Sequence, residues 1–128
     1  NMEHITNDVM SANHANSKIE GTEINWGAFA TVINDMVIDA NADMASSEDK
    51  RLGAYFVKAS ELSIKKFPEK VLKYLWDDAF KFSRDEIFNS ANNSLEKVIK
   101  SFMQAKANER FNIFVENIKN DLFLKNNR

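Results

Sequence analysis

At 128 residues, with 44% hydrophobic and 28% charged, the chain has the size and make-up of one globular domain, able to bury about two-thirds of its unfolded surface. A formal net charge of −2 and a pI near 5.7 give no general attraction to nucleic acid or anionic lipid. With no cysteine, disulfides, thiolate nucleophiles and Cys-ligated zinc are excluded, and no apolar run approaches the roughly 20 residues that cross a bilayer.

Three glycines and one proline are too few to punctuate a β-sandwich or a series of hairpins. The expected fold is therefore mostly α: a small bundle of about four to six helices with an irregular or short extended loop around residues 50–58.

Residues 1–23 are polar and Asn-rich, and read as an N-terminal arm, short helix or cloning-derived segment ahead of a helical domain over 24–128. Asn1 before Met2 points to a cloning remnant or to a cut within a longer protein, and the lack of a leader pattern points to the cytoplasm. His4 and His14 are ten apart without further ligands, so no metal site is expected.

Asn25 is placed as a helix N-cap, with Ile24 and Phe29 as its hydrophobic staple. Phe29, Val32, Ile33, Met36, Val37 and Ala40 follow in helical period, and the helix is expected to fade at Asn41–Asp43. A polar turn over Ser46–Arg51 leads to the apolar run Leu52–Val57, where Gly53 is expected to mark a special backbone conformation or a close approach. Ser60 is a candidate cap for the turn that follows.

The strongest pattern is Phe67–Phe82. Phe67, Val71, Leu72, Leu75, Trp76, Ala79 and Phe80 form one wide stripe, Pro68 suits a first turn, and Glu69/Lys73 and Asp77/Lys81 are spaced for ion pairs. This helix is expected to be the centre of the core. Ser83-Arg84-Asp85-Glu86 has the capping-box pattern, and Asn92, Asn93 or Ser94 caps a helix whose face is Leu95, Val98, Ile99, Phe102 and Met103. Lys97, Lys100 and Lys106 lie off that face as a solvated side. A last helical segment carries Phe111, Phe114, Val115, Ile118 and Leu122 and ends in cations.

No phosphate-binding loop, nucleophile elbow, zinc motif or EF-hand loop is present, and Asp77-Asp78 point about 100° apart on a helix, so no catalytic residues are assigned.

Ile24-Asn25-Trp26 with Ile33-Asn34, Glu48-Asp49-Lys50-Arg51-Leu52-Gly53-Ala54-Tyr55-Phe56, and Lys70 through Lys81 form a spaced pattern, with a further match over Leu95–Phe102. It resembles the C-terminal end of McrB-type AAA+ ATPases, the motors of methylcytosine-dependent restriction systems, over roughly residues 24–114. The resemblance implies a helical lid without activity of its own, the phosphate-binding loop, magnesium-holding acidic motif and arginine finger lying upstream. Lys50, Arg51 and Gly53 would then face the nucleotide. The full-length protein would take GTP or ATP with Mg, and the partners would be the AAA+ core, neighbouring ring subunits and a McrC-like nuclease. Where the family often has Gly-Pro-aromatic-Phe, this chain has Gly53-Ala54-Tyr55-Phe56. Two other classes stand beside this one: a free-standing helical interaction module, and a nucleic-acid-binding domain using Lys97, Lys100 and Lys106, which the acidic pI disfavours.

Overall fold

Helix α1 (Trp26–Ala40) is buried from Trp26 through Asn34 and again at Val37 in a computed structural model of the chain, which describes residues 15–40, 49–53 and 55–126. The N-terminal part of this helix is thus wrapped by the rest of the chain, while Asp35 and Asp39 near its end stay exposed. The remaining long elements are α2 (66–79), α3 (Leu95–Gln104) and α4 (Glu116–Asn126). Short 3₁₀ turns lie at Ala59–Leu62, Arg84–Glu86 and Ala107–Ile113. The fold is mostly helical, as expected, and the described residues form no sheet, only the isolated bridges Lys18–Asn25 and Phe88–Phe114. No helix among them is long and apolar enough to cross a membrane.

Burying the N-terminal part of α1 on all sides removes water as a partner for its first N–H groups, so the chain must supply acceptors. The Asn25 side chain accepts from Ala28 N–H at 2.7 Å, the expected cap. Trp26 and Gly27 N–H donate to the carbonyls of Ser17 and Ala15 at 2.9 and 2.8 Å. Ile24 and Phe29 are both fully buried, as the staple requires.

Residues 15–23 thus form part of the helical unit, and no break falls at the expected boundary between 23 and 24. Ala15 and Ile19 are fully buried, and Thr22 closes a turn by donating from its N–H and its hydroxyl to the Ile19 carbonyl. Gly21 occupies the third position of that turn with φ +79°, and a Cβ there would meet Arg110 Nε at 2.9 Å. The special glycine is therefore Gly21. Gly53, the expected one, has no positive φ and nothing within 4 Å of a built Cβ. His4, His14, Asn41–Asp43, Ser46–Glu48 and Ala54 lie outside the described residues.

α2 buries the expected stripe: Phe67, Val71, Leu72, Leu75, Ala79 and Phe80 are buried and Trp76 is half-buried. Its backbone differs from expectation. Pro68–Leu72 and Leu75–Ala79 are π-helical, with Lys73 N–H reaching the Pro68 carbonyl and Phe80 N–H the Leu75 carbonyl. Steps of four keep the stripe on one face through either winding, so its burial survives the change. The helix stops at Ala79, short of the expected end at Phe82, which is exposed. The ion pairs of its outer face are not Glu69–Lys73 or Asp77–Lys81. Lys70 instead pairs with Glu61 at 3.2 Å and Lys50 with Asp78 at 3.5 Å, partners from the preceding loops.

Two capping expectations change, and one is narrowed to a single residue. Ser63 rather than Ser60 precedes α2, its hydroxyl accepting from Lys66 N–H at 3.1 Å. Ser83 makes no side-chain cap and starts only a 3₁₀ turn. In that turn the Arg84 guanidinium lies 4.7 Å over the Trp76 ring and its Nε donates to the Trp76 carbonyl. Ser94, among the three candidates, caps α3 through Lys97 N–H. The last apolar face is split between a 3₁₀ helix and α4, with Phe88–Phe114 bridging at the break.

Gly21→Ala is expected to destabilise by about 1–3 kcal/mol, the left-handed φ and the Arg110 contact adding, whereas Gly53→Ala is expected to be neutral or stabilising by up to about 1 kcal/mol. Urea unfolding of both variants checks this.

Candidate functional site

The loop at 49–53 is the segment that the sequence singled out for function, and the fold pins it from two helices. Asn34 on α1 is 2% exposed and presents its amide edge to Leu52. Its Oδ1 accepts from Leu52 N–H at 2.6 Å, and its Nδ2 donates to the Leu52 carbonyl at 2.9 Å. The pair reproduces with one side chain what a neighbouring strand would offer, so Leu52 can be fully buried with its backbone satisfied. From α2, the Tyr74 hydroxyl donates to the Lys50 carbonyl at 3.0 Å, and the Tyr74 ring packs 5.0 Å from Phe56.

Lys50 is thereby held against α2, and Arg51 and Gly53 follow it on the same loop, each of the three in a different state. The Lys50 ammonium lies 3.5 Å from Asp78. Arg51 folds back on Asp49, Nε to Oδ1 at 2.9 Å and Nη2 to Oδ2 at 2.8 Å, while its own N–H donates to the same carboxylate. Arg51 is not a solvated loop arginine: its side chain keeps only 10% of its surface in water, and its buried Nη1 has no acceptor. The guanidinium hydrogen bond holds the Asp49 carboxyl below its ordinary value of 3.8. Gly53 contributes its carbonyl to a turn with Phe56 N–H at 3.2 Å.

Chemically this is a fixed cationic pair whose charges are largely countered within the chain. It has no nucleophile, no base aimed at an acceptor and, among the described residues, no group of carboxylates or imidazoles able to hold a metal. Asn34 and Tyr74, which build the loop, were not legible as site residues. The available signal was an amide next to Ile33 on an otherwise apolar helix face.

A second concavity of about 690 Å³ lies between the 85–90 segment and the start of α4, floored by Phe88 and Phe114. Its Lys119 is engaged by Asn112 at 2.8 Å and Glu116 at 3.6 Å, which leaves no poised charge.

No family model, no curated protein and no solved structure matches the chain.

Asn34→Ala strands a buried N–H and a buried carbonyl at Leu52, and is expected to cost about 2–4 kcal/mol while selectively raising amide exchange at residues 49–53. Hydrogen-exchange mass spectrometry reads both effects. The Asp49–Arg51 contact also makes stability pH-dependent. A carboxyl whose folded pKa is depressed stabilises the fold above its unfolded pKa and loses that contribution as pH falls through the folded value. Glu61, held low chiefly by Lys58 N–H, acts in the same direction. Urea midpoints are therefore expected to fall with acidification below about pH 4, and Asp49→Asn is expected to flatten that slope.

Proposed function

We propose that the chain is the helical lid of a McrB-like AAA+ motor of a prokaryotic restriction or defence system, working in the cytoplasm and inactive by itself. In that role it closes over GTP or ATP bound with Mg in an upstream αβ core, contacts neighbouring ring subunits and meets a McrC-like nuclease. It makes no direct contact with nucleic acid.

One observation carries the reading. The stretches that bear the resemblance are far apart in sequence, yet their residues meet around one loop: Asn34 from the first, Lys50 to Gly53 from the second, Tyr74 and Asp78 from the third. Such convergence is expected of a loop that must be held in register to face something outside the lid. The chain's own donors do not form a phosphate cradle, since Lys50 and Arg51 already face Asp78 and Asp49. The nucleotide would be held by the core, with Arg51 Nη1 the one unspent donor of the cationic pair's guanidinium. A second reading, a free-standing interaction module, draws on Tyr55 and Phe82, which are 83% and 77% exposed.

The native reading frame around Asn1 separates the two. An in-frame phosphate-binding loop and acidic strand upstream support the lid, and a native start at Met2 overturns it in favour of the module. In the full-length protein, Arg51→Ala is expected to lower nucleotide turnover roughly 10- to 100-fold, the equivalent of one hydrogen bond to a charged group. Unchanged turnover removes Arg51 from the nucleotide side.

A further inference from the structure

We propose that the hollow between the end of α2 and residues 84–93 binds a zwitterion, a free α-amino acid with a large apolar side chain. The hollow's own groups carry this, independently of the motor reading.

The hollow measures about 330 Å³, within the span of small-molecule sites, and the Trp76 and Phe88 rings, 5.2 Å apart, form its apolar wall. Arg84 and Asp85, neighbours of opposite charge on a 3₁₀ turn, both line it. Arg84 is fixed before any ligand arrives: its guanidinium lies 4.7 Å over the Trp76 ring, and its Nε donates to the Trp76 carbonyl at 2.9 Å. Both Nη groups are left without a hydrogen-bond partner among the described residues. A rigid guanidinium with two free nitrogens matches the two oxygens of a carboxylate, and much of the ordering that binding requires is already done.

Asp85 is exposed and makes no ion pair with Arg84 or with any other described residue. Successive residues of a 3₁₀ turn point about 120° apart, which keeps the two charges from closing on each other. A lone anion drawn to Arg84 is repelled by Asp85, and a lone cation meets the reverse. A ligand that carries both charges satisfies both groups, so the hollow selects it partly by what it rejects.

Neutral donors complete the site. The side chains of Ser90 and Asn93 make no hydrogen bond with a described residue, and Asn92 spends only its Oδ1, on the Ser101 hydroxyl at 2.9 Å. Each can add a hydrogen bond to a carboxylate held by Arg84. The apolar side chain also has a place. Phe88 and Ser90 line the neighbouring 690 Å³ concavity as well, where the Phe88 and Phe114 rings stack at 5.7 Å, so the two hollows adjoin. With the α-carboxylate on Arg84 and the α-ammonium beside Asp85, a side chain the size of Leu or Phe runs past Phe88 into that larger space.

Titration of the 128-residue chain with L-phenylalanine, followed by amide-resolved NMR, tests this. The expected result is saturable shifts at the Trp76 indole N–H and the amides of residues 84–93, with a Kd of about 1 mM or tighter. L-phenylalaninamide lacks the carboxylate, N-acetyl-L-phenylalanine the ammonium and glycine the side chain. Each is expected to bind at least about tenfold more weakly, as are the variants R84Q and D85N with L-phenylalanine. R84K keeps the charge and loses the fork; it is expected to weaken binding as well, and it replaces R84Q should that variant fail to fold. Absence of saturable shifts up to roughly 20 mM overturns the proposal. So does equal binding of N-acetyl-L-phenylalanine, which would mean a plain anion site, and so does binding that survives both Arg84 variants. Shifts produced by a peptide but not by the free amino acid overturn it in favour of a docking groove.

Discussion

Everything in this fold depends on burying α1. A helix whose N-terminal part is surrounded by protein forfeits water as the partner of its first N–H groups, and an unpaired buried amide costs as much as a good apolar contact stabilises. The chain meets that constraint with Asn25 and with the carbonyls of Ala15 and Ser17, which draws residues 15–23 into the core. That in turn requires the tight turn at Gly21, and the turn's left-handed glycine leaves the room in which Arg110 lies flat. From there Arg110 donates through Nη1 to the Phe102 carbonyl, near the end of α3. One buried helix thus sets the position of a loop before it and of a helix end more than sixty residues after it.

The aromatic side chains carry most of the packing that follows. Phe29 is their hub: its ring lies 5.2 Å from Phe67, 6.4 Å from Phe111 and 6.1 Å from Phe114, joining α1 to α2 and to the C-terminal segment. Phe67 continues to Phe102 at 5.4 Å, which ties in α3. Offset and edge contacts of this kind add roughly 0.5–1.5 kcal/mol each to the area buried, and they favour particular ring orientations over a merely greasy interior. The same network fixes where α2 stands, and α2 supplies Tyr74 and Asp78 to the 49–53 loop.

In that loop the groups that hold the backbone differ from those that hold the charges. Its backbone is tied down by Asn34 and Tyr74, while its charged side chains are tied only to exposed or half-exposed carboxylates. Backbone contacts in the interior cost several kcal/mol to break, whereas ion pairs at the surface contribute about 1 kcal/mol or less. The loop can therefore exchange the partner of Lys50 without losing its place, whereas Arg51, with only 10% of its side chain in water, is held with the backbone.

Periodicity and composition by themselves determined the helical class, the buried stripe of α2 from Phe67 to Phe80 with Trp76 half-buried, and the Asn25 cap with its Ile24–Phe29 staple. All of these follow from local rules: side-chain direction repeats with the helix, and a cap acts within three residues. Tertiary structure alone decided the rest. The π turns of α2 leave the period of four intact, so the apolar pattern does not reveal them. The Ser83 cap does not form, and Arg84 beside it packs over the Trp76 ring eight residues earlier. Gly21, not Gly53, is the glycine that matters, because the demand comes from Arg110, 89 positions along the chain. Asn34 reads as one polar residue among apolar ones until Leu52, eighteen residues on, is set against it. A sequence states what each residue prefers within a few positions of itself, and the partner that settles the outcome is chosen only when distant segments pack.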